Sequence, residues 1–229
     1  MSTTLTTVGR SFRGQDAEKG GDAPQLRILT RTLAVIWCCV AVSACAHKTS
    51  NGPSHINADA LIVSVDDVRR IADFDGLAPE PALDLHQPGH SDADAPPPCR
   101  AVFDQQATFG GGWTQFRSVT YNGQANQPGQ APVLNGVDQA VGVYTDDAAA
   151  RSAFDRLVPS LTACSGLHDE NYAFTVNRPD PSTVALDSEQ FASMYRVKSS
   201  VLVEVSVSEF SQRDRIAGSV LQTITERIK

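Results

Sequence analysis

The chain has 229 residues, of which 19 are Lys or Arg and 26 are Asp or Glu, giving a formal net charge of −7. This balance argues against a nucleic-acid partner and against adsorption to anionic lipid by charge. Without its leader the chain is long enough for one domain with a single core.

Leu33 to Cys45 (LAVIWCCVAVSAC) is an apolar run preceded by Arg27 and Arg31 and closed by small residues just before a cysteine. The pattern predicts a secretory signal over residues 1–44 ending in a lipobox, with Cys45 as the lipid-modified first residue of the mature protein. A transmembrane helix would need about 20 apolar residues, and the run ends at His47-Lys48 after roughly two-thirds of that. A buried core helix would show a polar face, and none occurs between Thr32 and Ser43. Ordinary cleavage after Ala44 and a membrane-anchoring helix are the alternatives. The 32 residues ahead of the run are long for a signal, and a start near Val8 or Leu26 would shorten it. The leader carries five basic and three acidic residues, leaving 14 against 23 and a net charge of −9 in the mature part. Membrane attachment must therefore come from acyl chains, of which two or more hold firmly.

Cys38 and Cys39 leave with the leader and Cys45 is lipidated, so Cys99 and Cys164 remain. In an oxidising compartment two such cysteines most simply form one bridge, the alternative being two buried thiols. Closing that loop would stabilise the fold by about 4 kcal/mol. Neither cysteine has a basic neighbour arranged to activate it as a nucleophile.

Residues 45–60 read as a flexible tether reaching about 20 Å, followed by a domain over 61–229. Ser64 and Asp67 supply a helix cap and capping-box position, with Val68, Ile71 and Ala72 on one face. Gly76 to Pro98 has no apolar period and reads as a long surface loop. Ala101-Val102-Phe103 and Gln115 to Tyr121 read as strands separated by a Gly-rich turn or flap over 109–113. A second loop, Asn122 to Gly136, precedes a strand over Val137 to Tyr144. Thr145 caps a helix over Asp146 to Ala163, with Ala150, Ala153, Phe154, Leu157, Val158, Leu161 and Cys164 at helical spacing and a kink at Pro159. Strands follow over Tyr172 to Arg178, Gln190 to Lys198 and Ser200 to Val207. The last sets Val201, Val203, Val205 and Val207 on one face and Leu202, Glu204, Ser206 and Ser208 on the other. Ser211 and Asp214 open a terminal helix that buries Ile216, Val220, Ile224 and Ile228. The order predicts an α+β domain, an antiparallel sheet with helices packed on one side.

Ser64-Val65-Asp66-Asp67-Val68, the loop Pro96-Pro97-Pro98-Cys99, the stretch Tyr144 to Ala150, the helix ending in Cys164 and the Val-rich strand before an Ile-rich helix resemble the PknH-like extracellular domain. That family comprises sensor domains of mycobacterial PknH-type kinases and stand-alone lipoproteins, and the resemblance spans Asp59 to Lys229. It implies a central antiparallel sheet and a cleft for an unidentified ligand, with Cys99 and Cys164 in the place of the family's first disulfide. It also implies a second bridge between late strands. This chain has no cysteine there, with Met194 and Ser206 in the neighbourhood, and Leu161 and Thr162 stand where a tryptophan is often seen. No kinase motif is present.

His86 and His90, with Asp84, Asp92 and Asp94, form a cluster of ligand-like residues, but Pro88-Gly89 forbids the helix on which such histidines chelate zinc. His168-Asp169-Glu170 reads as an exposed turn. No G-x-S-x-G elbow occurs, and Gly110-Gly111-Gly112 lacks a phosphate-loop Lys. Trp113, Phe116 and Tyr121 are candidates to line an apolar cleft, against simple core packing. The expected function is a non-catalytic envelope lipoprotein, anchored through Cys45 on the extracytoplasmic side, without cofactor, catalytic residue or nucleic-acid partner. It would bind a small ligand or envelope component. The alternatives are a metal-dependent envelope hydrolase using the His86/His90 loop and a purely structural or antigenic surface protein.

Overall fold

The computed structural model describes residues 56–91, 94–125 and 131–229. The leader, the lipobox with Cys45, the tether up to residue 55 and Asp92 lie outside the described residues.

The chain enters the domain earlier than residue 61. Asn57 caps a single turn, α1 (Ala58–Leu61), and Ala58 and Leu61 are buried. Gln115 grips this segment at both ends, donating to the Ile56 carbonyl and accepting from the Ala58 N–H. Gln139 holds both the N–H and the carbonyl of Val63. Residues 56–60 are thus part of the folded body rather than tether, with Ala58 buried and the half-buried Gln115 satisfying the backbone of Ile56 and Ala58. Ser64 caps α2 (Val65–Ala72) as expected, accepting from the Asp67 N–H and donating to its carboxylate.

Gly76 to Pro98 is less irregular than a surface loop. It buries Leu77, adds a two-residue strand β1 (Ala78–Pro79), turns through Pro81–Leu83 and bridges Leu85 to Ser118. The expected strand at 101–103 is instead the helical turn α3 (Arg100–Phe103), closed by the Asp104 N–H onto the Arg100 carbonyl. Three apolar residues cannot distinguish the two periods. Asp104 then caps α4 (Gln105–Phe109), accepting from two backbone N–H groups.

Gly110 and Gly112, both at positive φ, reverse the chain into β2 (Trp113–Ala125). Pairing with β3 (Val133–Tyr144) continues well into the expected loop over 122–136. Asp146, rather than Thr145, caps α5 (Asp147–Ser165), whose seven predicted core residues are all buried. The helix continues through Pro159. After a short turn at Glu170–Tyr172 come β4 (Thr175–Asp180), β5 (Thr183–Asp187), β6 (Phe191–Lys198) and β7 (Val201–Ser208). The chain ends in α6 (Arg213–Arg227), preceded by Gln212 instead of a Ser211 cap.

The strands form one antiparallel sheet in the order β1-β2-β3-β7-β6-β5-β4. An α+β fold with helices against a central sheet and one disulfide is therefore what the chain adopts. Helices, however, cover both faces. The valines of β7, with Val137, Val141 and Val143, pack with α1, α2 and α6. Leu202, Ala140 and Phe116 pack on the other face with α3, α4 and α5. Each fully buried Leu, Val or Phe contributes roughly 1.5–3 kcal/mol. Gly142 is required on this second face because a Cβ there would stand 2.8 Å from the Phe109 ring.

Candidate functional site

Strand register assembles a polar floor on the α5 side of the sheet. One rung across four strands reads Thr120, Asp138, Ser206 and Ser193, and the next reads Ser118, Ala140, Glu204 and Tyr195. Beyond them the sheet turns apolar, with Phe116, Gly142, Leu202 and Val197. Thr120 donates its hydroxyl proton to Asp138, and the Ser193 and Ser206 hydroxyls lie 2.8 Å apart. Period-two alternation sends every one of these side chains to the same face.

Over this floor is a cavity of about 370 Å³, roofed by Leu83, Leu85, Val102 and Phe103. Gln105 links roof to floor. Its Nε2 donates to Ser118 Oγ at 2.8 Å and its Oε1 accepts from the Gly89 N–H at 3.0 Å. At the rim, His90 Nδ1 is 2.7 Å from the carboxylate of the buried Asp104. The Cys99–Cys164 disulfide joins the turn leading into α3 to the end of α5. It thus anchors the segment that carries Val102, Phe103 and Gln105.

The electrostatics of the floor are one-sided. Glu204 is only 8% exposed, and its Oε2 and the facing Tyr195 hydroxyl are buried against each other, neither with a well-aligned hydrogen bond among the described residues. Burial, reinforced by the charge of Asp138 and opposed by the Tyr195 hydroxyl, lifts the Glu204 carboxyl from its ordinary 4.5 to about 8. Burial also raises Asp138, with the Thr120 hydrogen bond opposing. Tyr195 is pushed well above the usual phenol range by burial and then by Glu204. Among the described residues no Lys or Arg lines the cavity.

The three aromatic candidates do not meet in this cavity. Phe116 is core, edge-on to Phe109. Tyr121, five positions along the strand, faces the opposite side and donates to the Val63 carbonyl at 2.9 Å. Trp113 donates to the Gly110 carbonyl beside a shallow depression lined by Gly110, Gly111 and Gly112. An odd separation places Phe116 and Tyr121 on opposite faces, whereas the register shift between Trp113 and Gln115 brings Trp113 to Phe116, with ring centroids 6.0 Å apart. The described residues of the His86/His90 loop are not grouped as a metal centre. His90 is engaged by Asp104, and among the described residues no three His, Cys, Asp or Glu side chains are grouped to hold a metal ion. Asp169 caps the short turn after His168, so the His168-Asp169-Glu170 segment is a turn as read.

The residues that form the floor were missed because none belongs to a motif. Glu204 left a signal, being an acid between four valines in the most apolar strand of the chain.

Among solved structures, the extracellular domain of PknH from Mycobacterium tuberculosis superposes with a TM-score of 0.55 at 16% sequence identity. The alignment covers 74% of this chain and 93% of that one. At such identity the likeness speaks for the fold alone. No curated protein matches the sequence. Among the described residues no helix is long and apolar enough to cross a membrane. The family model described as the PknH-like extracellular domain matches residues 55–227, a span that takes in the entire sheet and both helical layers. The chain belongs to the PknH-like extracellular domain family.

Proposed function

We propose that this chain is a non-catalytic, extracytoplasmic envelope module that binds a small ligand in the cavity between α3 and the sheet, held to the membrane by lipid on Cys45. The observation that carries the binding half is Glu204, an almost fully buried carboxyl on the cavity floor whose Oε2 has no well-aligned hydrogen bond among the described residues. Buried polar groups left without partners are uncommon and costly, and a concave, mostly apolar cavity with a few convergent polar groups is the usual form of a small-molecule site. The anchoring half rests on the small residues before Cys45 and the charged flank ahead of the apolar run.

The test is native mass spectrometry of the protein purified from its own envelope, wild type beside Ala140→Phe, which places a ring in the cavity. Binding predicts a co-purifying small molecule in the wild type that the variant loses. An identical mass for both, with no stabilisation of either by envelope extract, would defeat the reading. For the anchor, radiolabelled palmitate is expected on the wild type and absent from Cys45→Ala, and equal labelling of the two would remove it.

A further inference from the structure

We infer that the cavity selects a protonated amine with an apolar body, its ammonium seated on the floor between Asp138 and Glu204. This rests on the proposal that the cavity is a ligand site and adds the chemical class of the ligand.

Asp138 lies directly opposite Ser206, and Glu204 directly opposite Ala140. The two carboxyls are therefore diagonal neighbours on one face, a spacing of about 7–8 Å between backbones. A single ammonium, with three N–H donors, can contact both carboxyls from between them. The remaining floor groups suit a donor as well. Ser206 and Thr120 each retain acceptor lone pairs, and Glu204 Oε2 has no well-aligned hydrogen bond among the described residues.

The wall chemistry narrows the choice. With no Lys or Arg among the described residues that line the cavity, an anionic ligand would meet two carboxyls and no compensating cation there. The His90 Nδ1 that could serve one is engaged by Asp104. The roof of Leu83, Leu85, Val102 and Phe103 offers apolar surface over the polar floor, which matches a ligand with a charged head and an apolar body. Phe103 lines the cavity while 45% exposed, its ring packed against Phe191 and Tyr172.

Binding is coupled to a proton. The groups that face Glu204 are Asp138 from β3, Tyr195 from β6 and, across the cavity, His90 with its partner Asp104. None supplies a fixed positive charge beside it, so the fold holds Glu204 as the neutral acid near neutral pH. An arriving ammonium supplies that charge. Glu204 then releases its proton to solvent, the ammonium keeps its own three, and an ion pair replaces a neutral carboxyl. Affinity accordingly rises with pH through neutrality until the amine itself begins to deprotonate near the ordinary alkylamine range.

The test is isothermal titration of phenethylamine into the full chain at neutral pH, in phosphate and in HEPES. Its neutral isostere 2-phenylethanol and a polyol, methyl glucoside, are run alongside. The expected result is binding of the amine, a heat that differs between the two buffers because a proton is released, and affinity for the alcohol lower by at least about tenfold. Glu204→Gln should lose the buffer dependence and weaken the amine by about tenfold or more, and Asp138→Asn should weaken it independently should the first variant fold poorly. Equal binding of 2-phenylethanol, or preference for methyl glucoside, would overturn the ammonium assignment while leaving the cavity as a ligand site. Absence of binding by all three at millimolar concentration would overturn the assignment and count against the cavity reading too.

Discussion

Replacing Glu204 by Gln removes a group that the fold holds in its unfavourable form. The folded-state carboxyl titrates near 8 against an ordinary 4.5, so the native state favours the neutral acid and the unfolded chain favours the carboxylate. The stability contributed by this site is complete below about pH 4.5 and is lost as pH rises through 8. The loss amounts to about 1.4 kcal/mol per pH unit in that window. At pH 7 it comes to about 3 kcal/mol, and above pH 8 it levels off at about 5 kcal/mol. Gln has nearly the same shape and does not titrate. Urea unfolding of the wild type and Glu204→Gln should therefore differ by under about 1 kcal/mol at pH 5 and by about 3 kcal/mol, in favour of the variant, at pH 7. The difference between the two curves cancels Asp84 and Asp180, which are lowered by hydrogen bonds from Arg117 and from Ser182 respectively, and reads Glu204 together with the Asp138 charge coupled to it. A variant that is no more stable at pH 7 than at pH 5, relative to wild type, would mean that Glu204 is ionised and compensated in the native protein. The picture of an uncompensated buried acid would then be refuted.

Three further perturbations test other parts of the structure. Cys164→Ser opens a bridge spanning 65 positions and should cost about 4 kcal/mol of unfolding free energy by denaturant titration, with the same loss on adding reductant to the wild type. Gln139→Leu removes its two hydrogen bonds to Val63 and orphans the Val63 N–H, while the carbonyl keeps the Tyr121 hydroxyl, so a destabilisation of about 1–3 kcal/mol is expected. Faster proteolysis within residues 56–63 should accompany it. Ser64→Ala deletes the cap of α2 and should cost about 1 kcal/mol, measured by thermal unfolding, with little change elsewhere.

The elements that could be read before the structure was known are those whose burial is periodic within one segment. The stripe of α5 from Ala150 to Cys164 needs no information from elsewhere in the chain, and neither do the valines of β7. The reading failed where two periods fit one short segment, as at Arg100–Phe103, and where a strand was brief, as at Thr183–Asp187. It failed again on the second face of β7. Glu204, Ser206 and Ser208 look like a solvent side, yet α5 and the 83–105 segment cover much of it, which is why helices lie on both faces instead of one.

The candidate site was almost wholly hidden for a related reason. Its floor draws one or two residues from each of β2, β3, β7 and β6, and only inter-strand register makes them neighbours. The aromatic residues of β2 were more conspicuous in the sequence, but Phe116 and Tyr121 are divided between the two faces by the parity of their positions. The disulfide was accessible because cysteine arithmetic needs no geometry. Its placement beside the cavity roof was not.

The most direct test of the account is a crystal structure of the mature chain isolated from its native envelope. The account predicts electron density in the cavity under Phe103 and Gln105, with a donor atom within hydrogen-bond distance of Glu204 Oε2. A structure with that cavity closed by its own side chains, or with Glu204 turned outward and solvated, would contradict it.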